Sequence, residues 1–193
     1  MVRAGLSVDR LVAAAAEMAD EHGLAAVSVS AVARGFGVQP ASLYSHIAGS
    51  DDLLARLTLR ALDELRDRLS AVLVGRAGPA ALVAFADAHR DYARDHPGRW
   101  QAAQRPLPPE VAARSAGPWI ATAARAIVAG YGLSAEDEVH AVRLLGSAIN
   151  GFVALEASGS FDHSDPPPAL SWARVLDAVD AALQHWPTTP GQA

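Results

Sequence analysis

Residues Gly35 to His46 read GFGVQPASLYSH. The stretch lies between two segments whose apolar residues recur at helical spacing. Gly35 and Gly37 let the chain turn sharply at little steric cost. Pro40 suits the first turn of a helix, where its missing N–H costs nothing. The segment therefore reads as a tight turn followed by a short helix. Two structures use such a unit. One is a corner of a helical core. The other is a helix-turn-helix, in which a short second helix presents its N-terminal residues to the DNA major groove. Length and glycine content alone leave both open.

Upstream, Val8, Leu11, Val12, Ala15 and Ala19 form one helical stripe, with Ser7 as N-cap and Gly23 as stop. A second, short helix starts at Ser28, carries Val29, Val32 and Ala33 on one side, and is broken by Gly35 and Gly37. A third starts near Gln39, carries Leu43 and ends near Ile47 and Gly49. Downstream, Ser50 caps a longer helix with Asp51 and Asp52 in its first turn, where the positive dipole end favours them. Its stripe is Leu54, Leu57, Ala61, Leu65, Leu69 and Val72. Gly75 to Pro79 is a break. The next helix carries Leu82, Phe85, His89 and Tyr92 and ends before Pro97, because a residue preceding proline avoids helical ψ. Trp100 falls on a short segment between Pro97 and Pro106.

One helix is predicted from Glu110 to about Tyr131 and another from Ala135 to Ala157. The second of these is apolar on two faces, Val142, Leu145, Ile149 and Phe152 on one, Leu144, Ala148, Gly151 and Leu155 on the other. Such a helix must be covered on both sides. The last helix carries Trp172, Leu176, Val179, Leu183 and Trp186. No segment alternates with period two. The expected fold is all-α, about nine helices.

Composition narrows the function classes. The 193 residues are 51% hydrophobic and contain no Cys, which excludes disulfides, thiolate metal sites and Cys nucleophiles. Asp9, Glu17, Asp20 and Glu21 interrupt the first apolar run, against a signal peptide, and no run suits a membrane span. A soluble cytoplasmic protein is expected. The net charge of −5 counts against non-specific coating of nucleic acid. There is no Gly-x-Ser-x-Gly elbow, no P-loop and no His-Glu-x-x-His, and the seven His are scattered. No metal site, cofactor or catalytic constellation is expected, and DHSD at 162–165 reads as a solvated loop.

The run EHGLAAVSVSAVARGFGV, then LYSHI and DDLL, resembles the DNA-binding head of the tetracycline-repressor (TetR) family. The matching positions are Gly23, Ser28, Ala33, Gly37-Val38, Leu43-Tyr44, His46-Ile47 and Leu53-Leu54, about fifty residues in the family's order. HPGRW and LLGSAINGFVALEASGSF further resemble a branch named for a Trp-His-Gly signature, with Asn150-Gly151 standing where that branch has His-Gly. The resemblance implies a helix-turn-helix head over 1–48 and a ligand-binding and dimerisation body over 49–193. It implies a transcriptional regulator, usually a repressor, that binds a palindromic operator as a homodimer through its last two helices and releases it when a small molecule enters the body.

Carried onto this chain, the resemblance makes Tyr44 and His46 phosphate contacts, able to fix register without reading sequence. Gln39, Pro40, Ala41, Ser42 and Ser45 would face the bases. Gln39 can pair with adenine, and Ala41 can meet a thymine methyl. Ser28 caps the second helix, and its backbone N–H can also meet a phosphate. Arg3, Arg10 and Arg34 are the basic residues near this surface, outnumbered by four carboxylates. Ser50 stands where the family often has Lys. A helical scaffold or small-molecule-binding dimer whose head no longer binds DNA is the rival reading. In the body, Phe85, His89, Tyr92, Trp100, Trp119 and Phe152 are candidate pocket walls, or simply core.

Overall fold

Three helices start on a serine cap. Ser7 accepts a hydrogen bond from the Arg10 N–H at 3.3 Å, Ser28 from Ala31 at 3.1 Å and Ser134 from Asp137 at 3.1 Å. Each satisfies one of the N–H groups that a helix leaves unpaired at its start. The computed structural model describes residues 6–187. Among them are nine α-helices and no strand. They are α1 (Val8–His22), α2 (Val29–Gly35), α3 (Ser50–Leu73), α4 (Gly78–Asp95), α5 (Pro97–Ala103), α6 (Pro109–Ala112), α7 (Gly117–Ala129), α8 (Ala135–Ala157) and α9 (Pro168–Gln184). Single 3-10 turns cover Leu24–Ala26 and Pro40–Leu43.

Three expectations are corrected. The third predicted helix, Gln39 to Ile47, is only a 3-10 turn followed by a hydrogen-bonded turn at 44–46. The Leu43 carbonyl accepts from both His46 and Ile47, at 2.9 and 3.0 Å, so the chain tightens and stops. The helix predicted from Glu110 to Tyr131 is two. Ser115 donates its hydroxyl to the Ala112 carbonyl at 2.8 Å and accepts the Gly117 N–H at 3.1 Å, ending one helix and opening the next. The last helix stops at Gln184, short of Trp186.

The chain divides into two units. The first comprises Met1–Leu65 and Tyr92–Gly117, so the head is packed together with α5. Its core holds Leu11, Val12, Ala15, Val32, Leu43, Ile47, Leu53 and Leu57, with Ala102 of α5 fully buried among them. Burying such aliphatic side chains contributes about 1.5–3 kcal/mol each. Thr58, also fully buried, donates its hydroxyl to the carbonyls of Leu54 and Ala102, both at 3.0 Å.

The N-terminus of α5 has no side-chain cap of its own. Asp20 of α1 supplies one, taking the Arg99 N–H at 2.9 Å. The other carboxylate oxygen of Asp20 lies 3.2 Å from His96 Nδ1 and 3.0 Å from Arg99 Nε, the latter an ion-pair contact not aligned as a hydrogen bond. Arg99 Nη1 also reaches Glu64 of α3 at 3.3 Å, and Glu64 accepts from the Tyr92 hydroxyl at 3.1 Å and from Arg60 at 2.8 Å. The helices meet so closely that a Cβ on Gly98 would overlap the Ala19 carbonyl and stand 2.6 Å from the Asp20 nitrogen.

The second unit comprises Arg66–Asp91 and Pro118–Ala193. Leu82, Phe85 and Ala86 of α4, Ile127 and Val128 of α7, Leu145, Ile149 and Phe152 of α8, and Trp172, Leu176 and Leu183 of α9 are buried in it. Polar side chains are matched in pairs. Arg90 grips Glu156 through two hydrogen bonds of 2.8 and 2.6 Å, its guanidinium against the Phe152 and Trp172 rings, 5.6 and 5.1 Å from their centres. The Trp172 indole donates to Asp87 at 2.7 Å, Tyr131 to Asp180 at 2.6 Å and Trp186 to Asp137 at 3.0 Å.

Gly98→Ala is expected to cost roughly 3 kcal/mol or more, because the added carbon meets backbone that cannot rotate away. Gly146→Ala in α8, whose Cβ would meet nothing within 4 Å, serves as the control and is expected to be neutral or mildly stabilising. Urea unfolding of both variants measures the difference. A Gly98→Ala loss below about 1 kcal/mol would show that the two helices have room to part.

Candidate nucleic-acid interface

The candidate DNA-reading segment, Gln39 to His46, is built on α2. Ser28 fixes the start of that helix, and Val29, Val32 and Ala33 anchor it in the head core. At its end Gly37 takes φ +65°, a conformation that a side chain disfavours, and the Val38 N–H returns to the Ala33 carbonyl at 3.1 Å. The chain then runs into the Pro40–Leu43 turn, held from below by fully buried Leu43 and by Ile47.

Above that anchor the side chains face water. Arg34, Gln39, Ala41, Ser42, Tyr44 and Ser45 are exposed, Pro40 and His46 half-exposed, and Tyr44 is 58% accessible. A large aromatic ring so exposed, three residues from fully buried Ile47 and next to fully buried Leu43, is available to a partner. Among the described residues no hydrogen bond engages the side chains of Arg34, Gln39, Tyr44 or His46, while the Ser45 hydroxyl is turned back onto the Ser42 carbonyl at 3.1 Å. Hydroxyl, amide, imidazole and guanidinium groups on one short segment can contact phosphates and base edges.

Negative charge near this segment is partly occupied. Asp52 accepts the Ala48 N–H and Arg56 Nε, each at 2.9 Å. Burial raises its pKa, but those two hydrogen bonds and the Arg56 charge outweigh this and hold it below the usual carboxylate value. Asp20 is engaged by Arg99 and His96. Arg10 stacks on Phe36, its guanidinium 5.4 Å from the ring centre. Arg3 lies outside the described residues.

The six body candidates do not form one group. Tyr92 and Trp100 belong to the first unit, and Phe85, His89, Trp119 and Phe152 to the second. The Tyr92 hydroxyl is spent on Glu64, and burial together with that carboxylate pushes its pKa well up. The buried Trp100 indole N–H has no acceptor among the described residues. Phe85 and His89 stack at 4.5 Å, and Phe152 packs on Phe161 and Trp172, both at 5.0 Å. Trp119 is 38% exposed. Asn150 donates its amide to the Gly146 carbonyl at 2.9 Å, and its buried Oδ1 has no partner among the described residues. None of the six lines the open groove of about 720 Å³ between α3 and α4, whose walls include Arg68, Val72, Val83 and Asp87. Sequence reasoning missed the Asp20–Arg99 contact altogether, although HPGRW contains its second half.

A helix-turn-helix head on a wholly helical body defines a class of DNA-binding regulators, and comparison with known proteins identifies the family. Residues 11–57 match the model of bacterial regulatory proteins of the TetR family, and residues 82–179 match the tetracyclin repressor-like C-terminal domain. The chain is 35% identical over 166 residues to an uncharacterized HTH-type transcriptional regulator of Mycobacterium tuberculosis, Rv0681, covering 84% of this chain and 75% of that one. It is 31% identical over 163 residues to the uncharacterized HTH-type regulator YobS of Bacillus subtilis, covering 84% and 85%. Its fold is similar to that of a TetR variant from Acinetobacter baumannii crystallised in complex with minocycline, with a TM-score of 0.72, 22% identity, and coverage of 96% and 100%. The chain belongs to the TetR family. It is a DNA-binding transcriptional regulator and not an enzyme. No described helix is long and apolar enough to cross a membrane.

His89 gives the body a pH signature. Its Nδ1 carries the proton, since it lies 2.8 Å from the Phe85 carbonyl, an acceptor only. Burial lowers the His89 pKa below the usual 6.5, against a smaller upward pull from that carbonyl. The unfolded chain therefore binds a proton near pH 6.5 that the folded chain still refuses. Stability is expected to fall as pH drops below that value, and His89→Gln to flatten the dependence between about pH 7 and 5. Thermal unfolding across that range checks it, an unchanged profile in the variant being the contrary result.

Proposed function

We propose that the chain is a ligand-responsive repressor that binds a palindromic operator as a homodimer and is released by a small molecule held in its helical body. One observation supports the DNA half of this reading: the unengaged side chains of Arg34, Gln39, Tyr44 and His46 stand outward on a fully buried anchor. Tyr44 and His46 bind phosphates. Gln39, Ala41, Ser42 and Ser45 face the bases, Pro40 fixing their approach. Ser28 and Arg34 flank them on α2.

The dimer half is supported by what α8 and α9 leave uncovered. Leu145, Ile149 and Phe152 are buried, whereas Leu144 and Leu155 are 38% and 48% exposed, and Gly151 lies open between them. Leu170 of α9 is 61% exposed. Apolar surface of this kind on adjacent helices fits a second copy of the same pair. The effector half rests on the family and on a similar fold that holds minocycline. An effector shifts the DNA-bound state only by its differential affinity for the two states.

Sedimentation at micromolar concentration is expected to give twice the chain mass of 20.0 kDa, and Leu144→Arg with Leu155→Arg to give the monomer. A wild-type monomer would remove the dimer. For operator DNA, few cations face the duplex, so log K against log salt should have a slope shallower than about −8. Tyr44→Phe should weaken binding several-fold and alike on matched and mismatched duplexes, as loss of one phosphate contact does. Gel shifts over a salt series measure both.

A further inference from the structure

We propose that Asp20 and Arg99 are positioning residues for operator binding, holding the DNA-reading segment in register although neither belongs to its exposed face. Asp20 sits in the last turn of α1 and is half-buried. Two residues on is His22, the end of that helix, and the chain then passes through Gly23 and a 3-10 turn to Ser28, which starts α2. The place where α1 ends thus sets where α2 begins, and α2 carries the turn that presents Gln39 to His46.

Three features pin that end of α1 to α5. The Asp20 carboxylate caps α5 through the Arg99 N–H at 2.9 Å. It also faces the Arg99 and His96 side chains, at 3.0 and 3.2 Å. Gly98 lets the α5 backbone touch the Ala19 carbonyl. Glu64 holds Arg99 from the other side at 3.3 Å, so the guanidinium lies between carboxylates of α1 and α3. The contact is selective in its chemistry. A cap and an ion pair with 15% side-chain exposure on each partner define direction and register, where an apolar contact would allow sliding. Removing the carboxylate leaves an unpaired N–H and a guanidinium with one partner fewer, and the end of α1 gains freedom that binding must then remove.

The test uses the full-length protein and a duplex that the wild-type chain itself selects from a random-sequence pool. Asp20→Ala is expected to weaken binding of that duplex about tenfold, and Asp20→Asn, which keeps an acceptor for the Arg99 N–H, by a smaller factor. Arg99→Ala should also weaken it, and the double variant should be no worse than the more severe single one, giving a coupling in DNA affinity. Measurements are made well below each variant's unfolding midpoint, and Asp20→Asn stands in if Asp20→Ala does not fold. The salt slope should stay at the wild-type value, since neither residue neutralises a phosphate. Folded variants that bind the duplex within twofold of wild type would overturn the proposal. So would losses that simply add, or a salt slope that becomes shallower. Failure of the wild-type chain to select any duplex would instead overturn the DNA-binding reading on which this one rests.

Discussion

The backbone of α5 lies against the backbone of α1 at Gly98, where no side chain fits, and the arrangement of the head depends on that approach. Ala102 can reach the head core only because Gly98 lets the helix come in. Thr58 can then bond the Ala102 carbonyl, and Asp20 can reach the start of α5. A helix of seven residues is too short to be stable alone. It persists because its N-terminus is capped by another helix and its far end is buried in the head. The head core therefore draws on residues more than forty positions beyond the reading segment.

Charge is distributed by the same arrangement. A count over the first fifty residues makes the head acidic, which suits DNA poorly. Asp20 is committed to Arg99 and His96, and Asp52 to Ala48 and Arg56. The exposed reading segment itself carries no carboxylate between Arg34 and His46. On the proposed reading the head would meet DNA with hydroxyl, amide and imidazole groups, one guanidinium and the starts of helices, while Asp20 and Asp52 are spent on internal contacts. In such a complex short-range hydrogen bonds would carry more of the recognition than long-range attraction.

What was legible in the sequence was local. Ser7 and Ser28 cap helices as their place before an apolar stripe implies, whereas Ser50, expected to cap α3, is its first helical residue. The Ala135–Ala157 helix follows from its apolar stripes, and the Ser134 cap emerges only in the structure. Leu43 reads as core from spacing alone. The reading segment was found but not its geometry, since the choice between α and 3-10 rests on which amide the Leu43 carbonyl takes, and residue types do not encode that. The break at Ser115 turns on one hydroxyl bonding both ways along the chain. The Asp20–Arg99 contact spans 79 residues, and at that separation an aspartate on a helix reads only as a solvated charge. The pocket residues illustrate the reverse limit. Large aromatics at helical spacing mark burial, and burial alone does not show which of them share a cavity.

The second apolar face of α8 joins these local and distant levels. Periodicity requires cover on both sides, and the described residues cover one: Leu145 and Ile149 are buried, while Leu144 and Leu155 are not. Gly151 and Ala148 between those leucines make the uncovered face shallow, so another helix can approach its backbone closely. Natural monomers rarely leave apolar stripes of this length in water. The sequence thus states a demand that the described residues do not meet, and the proposed dimer would meet it with a second copy of α8 and α9.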